Sequence, residues 1–215
     1  MAVTLYGYEH SVYAWIARFA LTAKGVPHEW EEVDPFAEVI PADYLARQPF
    51  GRVPTLVHGG FTLYETGAIT RYIDAAFHGP DLRPSAPKAR ARVDQAMSIV
   101  DAYVYQPLVR QVFANGPMAT HLDREGDEDA FKLGLAAAPR VLDALEALAG
   151  DGSYLVGGDL SLADIQLAPM IAYFTAAEEG AALIAKRERL DRWWRRASGE
   201  RALAATAPPA WKPPG

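Results

Sequence analysis

The run Gln48-Pro49-Phe50-Gly51-Arg52-Val53-Pro54-Thr55-Leu56, followed nine residues later by Glu65-Thr66, constrains the fold more than any other part of the chain. A Val-Pro pair ends a loop, because proline has no N–H to give an interior strand and holds its predecessor extended. The apolar stretch after it turns at Gly59-Gly60 and returns through Phe61-Thr62-Leu63-Tyr64, the pattern of a hairpin. A helix then begins beside Glu65-Thr66. That order gathers free backbone groups, a helix N-terminus and a carboxylate at one end of a small sheet.

The segments on either side fit this frame. Thr4-Leu5-Tyr6 reads as a first strand, and Ser11 as the N-cap of a helix whose face carries Val12, Trp15, Ile16, Phe19, Ala20 and Ala23 before Gly25. His28 to Val33 gives a second strand, Pro41 to Arg47 a short helix, and Thr66 to Phe77 a third helix. The order βαβ then ββα describes a mixed sheet covered by helices. Residues 78–87 contain three prolines and a glycine and read as a linker. The expected division is therefore 1–78, a linker at 79–88, and an all-helical 89–215. In the second part Val93, Met97, Val100 and Val104 form one stripe, and Pro107 is expected to kink that helix. A long helix from Glu128 to Ala149 contains Pro139, and Ser161-Leu162-Ala163-Asp164 reads as a capping box. A buried helix to Phe174 and shorter ones at Ala181 to Ile184 and Leu190 to Ser198 follow. The tail from Ala207 to Gly215 is too rich in proline to continue a helix.

Several function classes are disfavoured. A net charge of -6 does not suit a nucleic-acid surface, and the arginines between Arg187 and Arg196 are interleaved with Glu188 and Asp191. No apolar run reaches the ~18 residues of a membrane span, and no signal-peptide pattern opens the sequence, so a cytoplasmic protein is expected. With no cysteine there is neither a disulfide nor a cysteine nucleophile. The histidines at 10, 28, 58, 78 and 121 lack ligand spacing, so no metal is expected, and no nucleotide or Gly-x-Ser-x-Gly motif occurs.

The motif at 48–56, Glu65-Thr66, and Tyr154-Leu155-Val156-Gly157-Gly158-Asp159-Leu160-Ser161-Leu162-Ala163-Asp164-Ile165 together resemble a cytosolic glutathione S-transferase over nearly the whole chain. Leu5-Tyr6-Gly7 through Ser11, and Val93-Asp94-Gln95, are most similar to its phi-like, serine-type branch of bacterial type. The resemblance implies a thioredoxin-like N-terminal domain, an all-α C-terminal domain and a homodimer. It also implies a detoxifying transferase that uses glutathione as co-substrate against a small hydrophobic electrophile. A glutathione-dependent dehalogenase, isomerase or peroxidase, or a non-catalytic carrier with the same fold, are the alternatives.

By that resemblance Ser11 donates a hydrogen bond to the glutathione sulfur. The free thiol, with a pKa of about 8.5, is mostly protonated at neutral pH and reacts as thiolate. Ser11 as a plain N-cap is the bland alternative, and Tyr6 is the rival donor, with core packing as its own alternative. Val53-Pro54 is expected to be cis and to present the Val53 backbone to the cysteinyl unit, while Glu65 and Thr66 bind the γ-glutamyl end and Arg52 lies beside them. Val12, Phe36, Tyr105, Val109 and Phe113 are candidates for an apolar electrophile site between the domains. Where the family carries a basic pair for the glycyl carboxylate this chain has Val39-Ile40, so either glutathione binding is weaker or Arg52 or Arg47 substitutes.

Overall fold

The computed structural model describes residues 2–209 and Trp211. They form two compact units, Met1–Leu82 and Arg83–Gly215. The expectation for the last residues, Lys212 to Gly215, lies outside the described residues.

The first unit runs β1 (Val3–Gly7), α1 (Val12–Ala23), β2 (Glu29–Glu32), α2 (Ala42–Leu45), β3 (Thr55–His58), β4 (Phe61–Tyr64) and α3 (Thr66–Ala76). The sheet order is β2-β1-β3-β4, with β1 parallel to β2 and antiparallel to β3, and β4 antiparallel to β3. The helical spacing seen in α1 buries Trp15, Ile16 and Phe19, and Leu5, Leu56, Ile69 and Ile73 are buried with them. Register places Tyr6 opposite Thr55, and Thr55 opposite Tyr64. The end of β1, the start of β3 and the end of β4 therefore coincide. Ser11, Val53-Pro54 and Glu65-Thr66, which flank those three ends, are brought to one end of the sheet.

The division between the units falls after Leu82. A buried lysine ties the segment just before it to the first unit. Lys24 Nζ donates to the Pro80 carbonyl at 2.7 Å and pairs with Asp74 at 3.2 Å, and the same Asp74 oxygen accepts the Leu82 N–H at 2.8 Å. Gly79, at φ +139°, has the Lys24 carbonyl 2.4 Å from where a Cβ would stand, so only glycine passes there. The start of the proline-rich segment is thus tied to α1 and α3.

The second unit is helical: α4 (Pro87–Ile99), a π-helical segment (Val100–Phe113), α5 (Pro117–His121), α6 (Glu128–Leu148), α7 (Leu162–Phe174), α8 (Glu178–Ala185), α9 (Glu188–Ala197) and α10 (Arg201–Ala205). The expected kink at Pro107 takes the form of a wider helical register. Proline cannot return an N–H to the carbonyl four residues back, and its ring crowds that carbonyl, so the i→i+5 pattern relieves both. Every residue of α7 is buried, and apart from Asp164 and Gln166 it is largely apolar all round, as expected of a central helix.

Candidate active site

Ser11 stands at the N-cap of α1 with extended backbone. Its Oγ accepts the Ala14 N–H at 3.3 Å, its carbonyl accepts from Trp15 at 2.9 Å, and its own N–H donates to Tyr8 at 2.9 Å. A serine oxygen that accepts a cap bond still has its proton to donate. The two readings of this residue are therefore compatible: one lone pair serves the helix while the O–H is available to an anion. The helix N-terminus beneath it favours negative charge.

Val53-Pro54 is cis. Tyr44, buried in α2, donates from its hydroxyl to the Arg52 carbonyl at 2.6 Å and lies 3.0 Å from Thr55 Oγ1, so it holds the chain on both sides of that bond. Burial pushes the Tyr44 phenol up, which keeps it a neutral donor. Among the described residues neither the N–H nor the carbonyl of Val53 has a hydrogen-bond partner. An extended ligand backbone could pair with both.

Glu65 has φ 71° and ψ 115°, a conformation that non-glycine residues rarely adopt. Such an outlier persists where the surroundings over-determine it, and it is a pointer to function. Its carbonyl accepts from Ala68 and Ile69, while among the described residues the Thr66 and Gly67 N–H groups, at the start of α3, have no partner. Its side chain is exposed. A carboxylate on the free N–H groups and an ammonium on Glu65 would both be satisfied.

The other candidates separate. The Tyr6 ring lies 5.9 Å from Tyr44, with the Arg47 guanidinium 5.4 Å from its centroid, an environment of packing. Val12 is buried at the first turn of α1. Phe36 is 71% exposed and meets Tyr8 edge-on at 5.9 Å, and Tyr8 in turn meets His10 at 5.5 Å. In the second unit Tyr105 is half-buried and Val109 buried, while Phe113 is buried in a stack on Tyr173 at 3.7 Å. That stack occupies one of the Phe113 ring faces. Ile40 sits 2.8 Å from where a Gly51 Cβ would be, and Val39 is exposed, so neither offers charge. Arg47 is engaged by the carbonyl and carboxylate of Asp43. Arg52 is exposed, and among the described residues its side chain has no ion-pair or hydrogen-bond partner. The Tyr44 clamp and the Tyr8–Phe36 pair went unrecognised in the sequence, where an aromatic residue gives no sign of the loop it will touch. Among the described residues no group of three or more acidic, histidine or cysteine residues could hold a metal ion, and no helix is long and apolar enough to cross a membrane.

Comparison with known proteins identifies the family of both units. The model of "Glutathione S-transferase, N-terminal domain" matches residues 5–81, and that of "Glutathione S-transferase, C-terminal domain" matches residues 88–196. Glutathione S-transferase F10 of Arabidopsis thaliana is 34% identical over 185 residues, 85% of this chain and 86% of that protein. The crystal structure of glutathione transferase F7 from Populus trichocarpa superposes with a TM-score of 0.83 at 27% identity, covering 95% of this chain and 97% of the other. A theta class glutathione S-transferase from Xanthomonas axonopodis pv. citri, solved with glutathione bound, superposes at 0.77 with 25% identity, covering 96% and 97%. The Arabidopsis relative and glutathione S-transferase 3 of Zea mays, 29% identical over 182 residues, 80% of this chain and 78% of that protein, are plant phi-class proteins, and the expected bacterial type is not shown.

Proposed function

The chain belongs to the glutathione S-transferase family, and we propose that it is a serine-type glutathione transferase in which Ser11 stabilises the thiolate of bound glutathione for attack on a small hydrophobic electrophile. The observation that carries this reading is the convergence of three unsatisfied features at one end of the sheet: the Ser11 O–H, the Val53 backbone pair, and the Thr66 and Gly67 N–H groups beside Glu65.

The mechanism follows from those groups. Glutathione lies extended, its cysteinyl unit paired with Val53 and its γ-glutamyl carboxylate on the Thr66 and Gly67 N–H groups, with its ammonium on Glu65. The sulfur is then held against Ser11. Donation from the hydroxyl, added to the field of α1, stabilises the anion more than the thiol and lowers the thiol pKa toward neutrality. The thiolate attacks the electrophilic carbon, and the leaving group departs or the double bond takes a proton. In the first unit Phe36 keeps exposed apolar surface that an electrophile could contact while Val12 is buried packing; in the second unit Tyr105 is half-buried and Val109 and Phe113 are buried packing. Arg52 takes the glycyl carboxylate in place of the absent basic pair, because Arg47 is already engaged by Asp43. A homodimer in the cytoplasm completes the proposal.

The test is Ser11→Ala. Its rate of thiol conjugation should fall by about tenfold or more, the loss of a positioned proton donor, while calorimetric affinity for glutathione changes little. Equal activity would move the role to Tyr6. The second reading, a carrier without turnover, is favoured by Val39 and Ile40, which supply no charge. It would prevail if wild type binds no glutathione at millimolar concentration. Arg52→Ala should raise the KM for glutathione by roughly three- to tenfold with kcat retained, as expected when binding shared by ground and transition states is lost.

A further inference from the structure

The loop that delivers Ser11 is a tight turn. Ser11 N–H donates to the Tyr8 carbonyl at 2.9 Å, which leaves Glu9 and His10 as the two residues at the bend. One bond across a turn does not fix where its apex sits. The apex is instead held from β2: the Glu9 N–H donates to Glu32 Oε1 at 2.9 Å, and Glu32 Oε2 accepts the Trp30 indole N–H, also at 2.9 Å. Trp30 is itself wedged. Its ring comes within 2.3 Å of where a Gly7 Cβ would stand, and the Arg18 guanidinium lies 5.0 Å from its centroid. Arg18 is on α1, the helix that Ser11 caps. The Val33 N–H completes the attachment by donating to the Gly7 carbonyl at 2.7 Å.

We infer that Glu32 is a positioning residue for Ser11: one of its oxygens, Oε2, is fixed by Trp30 and through it by Arg18, while the other, Oε1, holds the Glu9 backbone and thereby sets where the Ser11 hydroxyl points. The inference rests on Ser11 being the thiolate donor. Glu32 acts through the loop, with no role at the sulfur itself. Its charge works the other way. Burial first, and then the negative potential that Asp34, Glu32 and Glu9 put on this loop, push the Tyr8 phenol up. Negative potential also disfavours a thiolate. Positioning and charge therefore predict opposite signs when Glu32 is replaced, so the two can be told apart.

The experiment titrates the thiol of bound glutathione by its thiolate absorbance in wild type, Ser11→Ala, Glu32→Ala and Glu32→Gln. It adds kcat, the KM for glutathione, and amide hydrogen exchange at Glu9. Glu32→Ala should raise the bound thiol pKa by about half a unit to one unit and lower kcat at neutral pH by about three- to tenfold, with KM within about twofold. Exchange at Glu9 should quicken. Glu32→Gln keeps one carbonyl acceptor while losing the charge, so it should show a smaller rise, and it carries the test if the alanine variant does not fold. A wild-type titration in the Glu32 variants beside a shifted one in Ser11→Ala overturns the positioning role alone. A lowered thiol pKa in Glu32→Ala also overturns it, since with both the acceptor and the charge removed only the loss of charge is then felt. An unshifted Ser11→Ala overturns the Ser11 reading, and this inference with it.

Discussion

Ser11 and Ser161 occupy the same station, the N-cap of a helix, and they differ in what their hydroxyls are left to do. Ser161 is 4% exposed, and its Oγ and its N–H both donate to Asp164 Oδ2, at 2.7 and 2.8 Å. The other Asp164 oxygen accepts the Leu155 N–H and the Trp193 indole N–H, both at 2.8 Å. Burial pushes the Asp164 carboxyl up even against those four bonds, a measure of how thoroughly it is removed from water. Ser11 is half-buried, accepts one long bond of 3.3 Å, and keeps its proton. Cap position says only that a hydroxyl is present. A closed partner set makes it structural, and an open one makes it chemical.

The comparison can be broken from either side. Asp164→Ala should have the largest effect, because it strands the Ser161 hydroxyl, two backbone donors and an indole in a dry interior. A loss of about 3 to 5 kcal/mol in a denaturant titration is expected. A loss below about 1 kcal/mol would mean the box is not the closed network its distances describe. Ser11→Ala should cost about 1 kcal/mol or less of stability while removing about tenfold or more of the activity. The smallest effect belongs to Ser161→Ala, about 1 kcal/mol of stability with no change in kcat/KM. Any fall in kcat/KM beyond the unfolded fraction would show that the second serine also reaches the chemistry.

Much of the first unit was legible because its signals are local. The apolar spacing of α1, the Gly59-Gly60 hairpin and the Val53-Pro54 pair each depend on residues a few positions apart, and the elements fall within a few residues of where that spacing put them. The capping box was legible for the same reason. Less so were the contacts that cross the sequence. Tyr44 reaches Arg52 and Thr55 only because α2 folds over the loop, and Lys24 reaches Asp74 and Pro80 across 50 and 56 positions. The π register at Pro107 was also hidden, since proline states that a hydrogen bond is missing without saying how the helix will absorb the loss.

The sequence by itself determined most of the elements, α5 and α10 excepted, where the prolines and glycines interrupt them, and that free backbone groups, a helix N-terminus and a carboxylate would share one end of a small sheet. Only the tertiary structure decided how each is held. It put the Tyr6 ring beside Tyr44 and the Arg47 guanidinium, paired Arg47 with Asp43, left Arg52 uncommitted, put Glu65 at positive φ, and placed Glu32 against the Ser11 loop. The physical reason is range. Propensity and periodicity act over one or two turns of chain, whereas the partner of a side chain is fixed only when distant segments pack, and whether a polar group is satisfied or available depends on that partner.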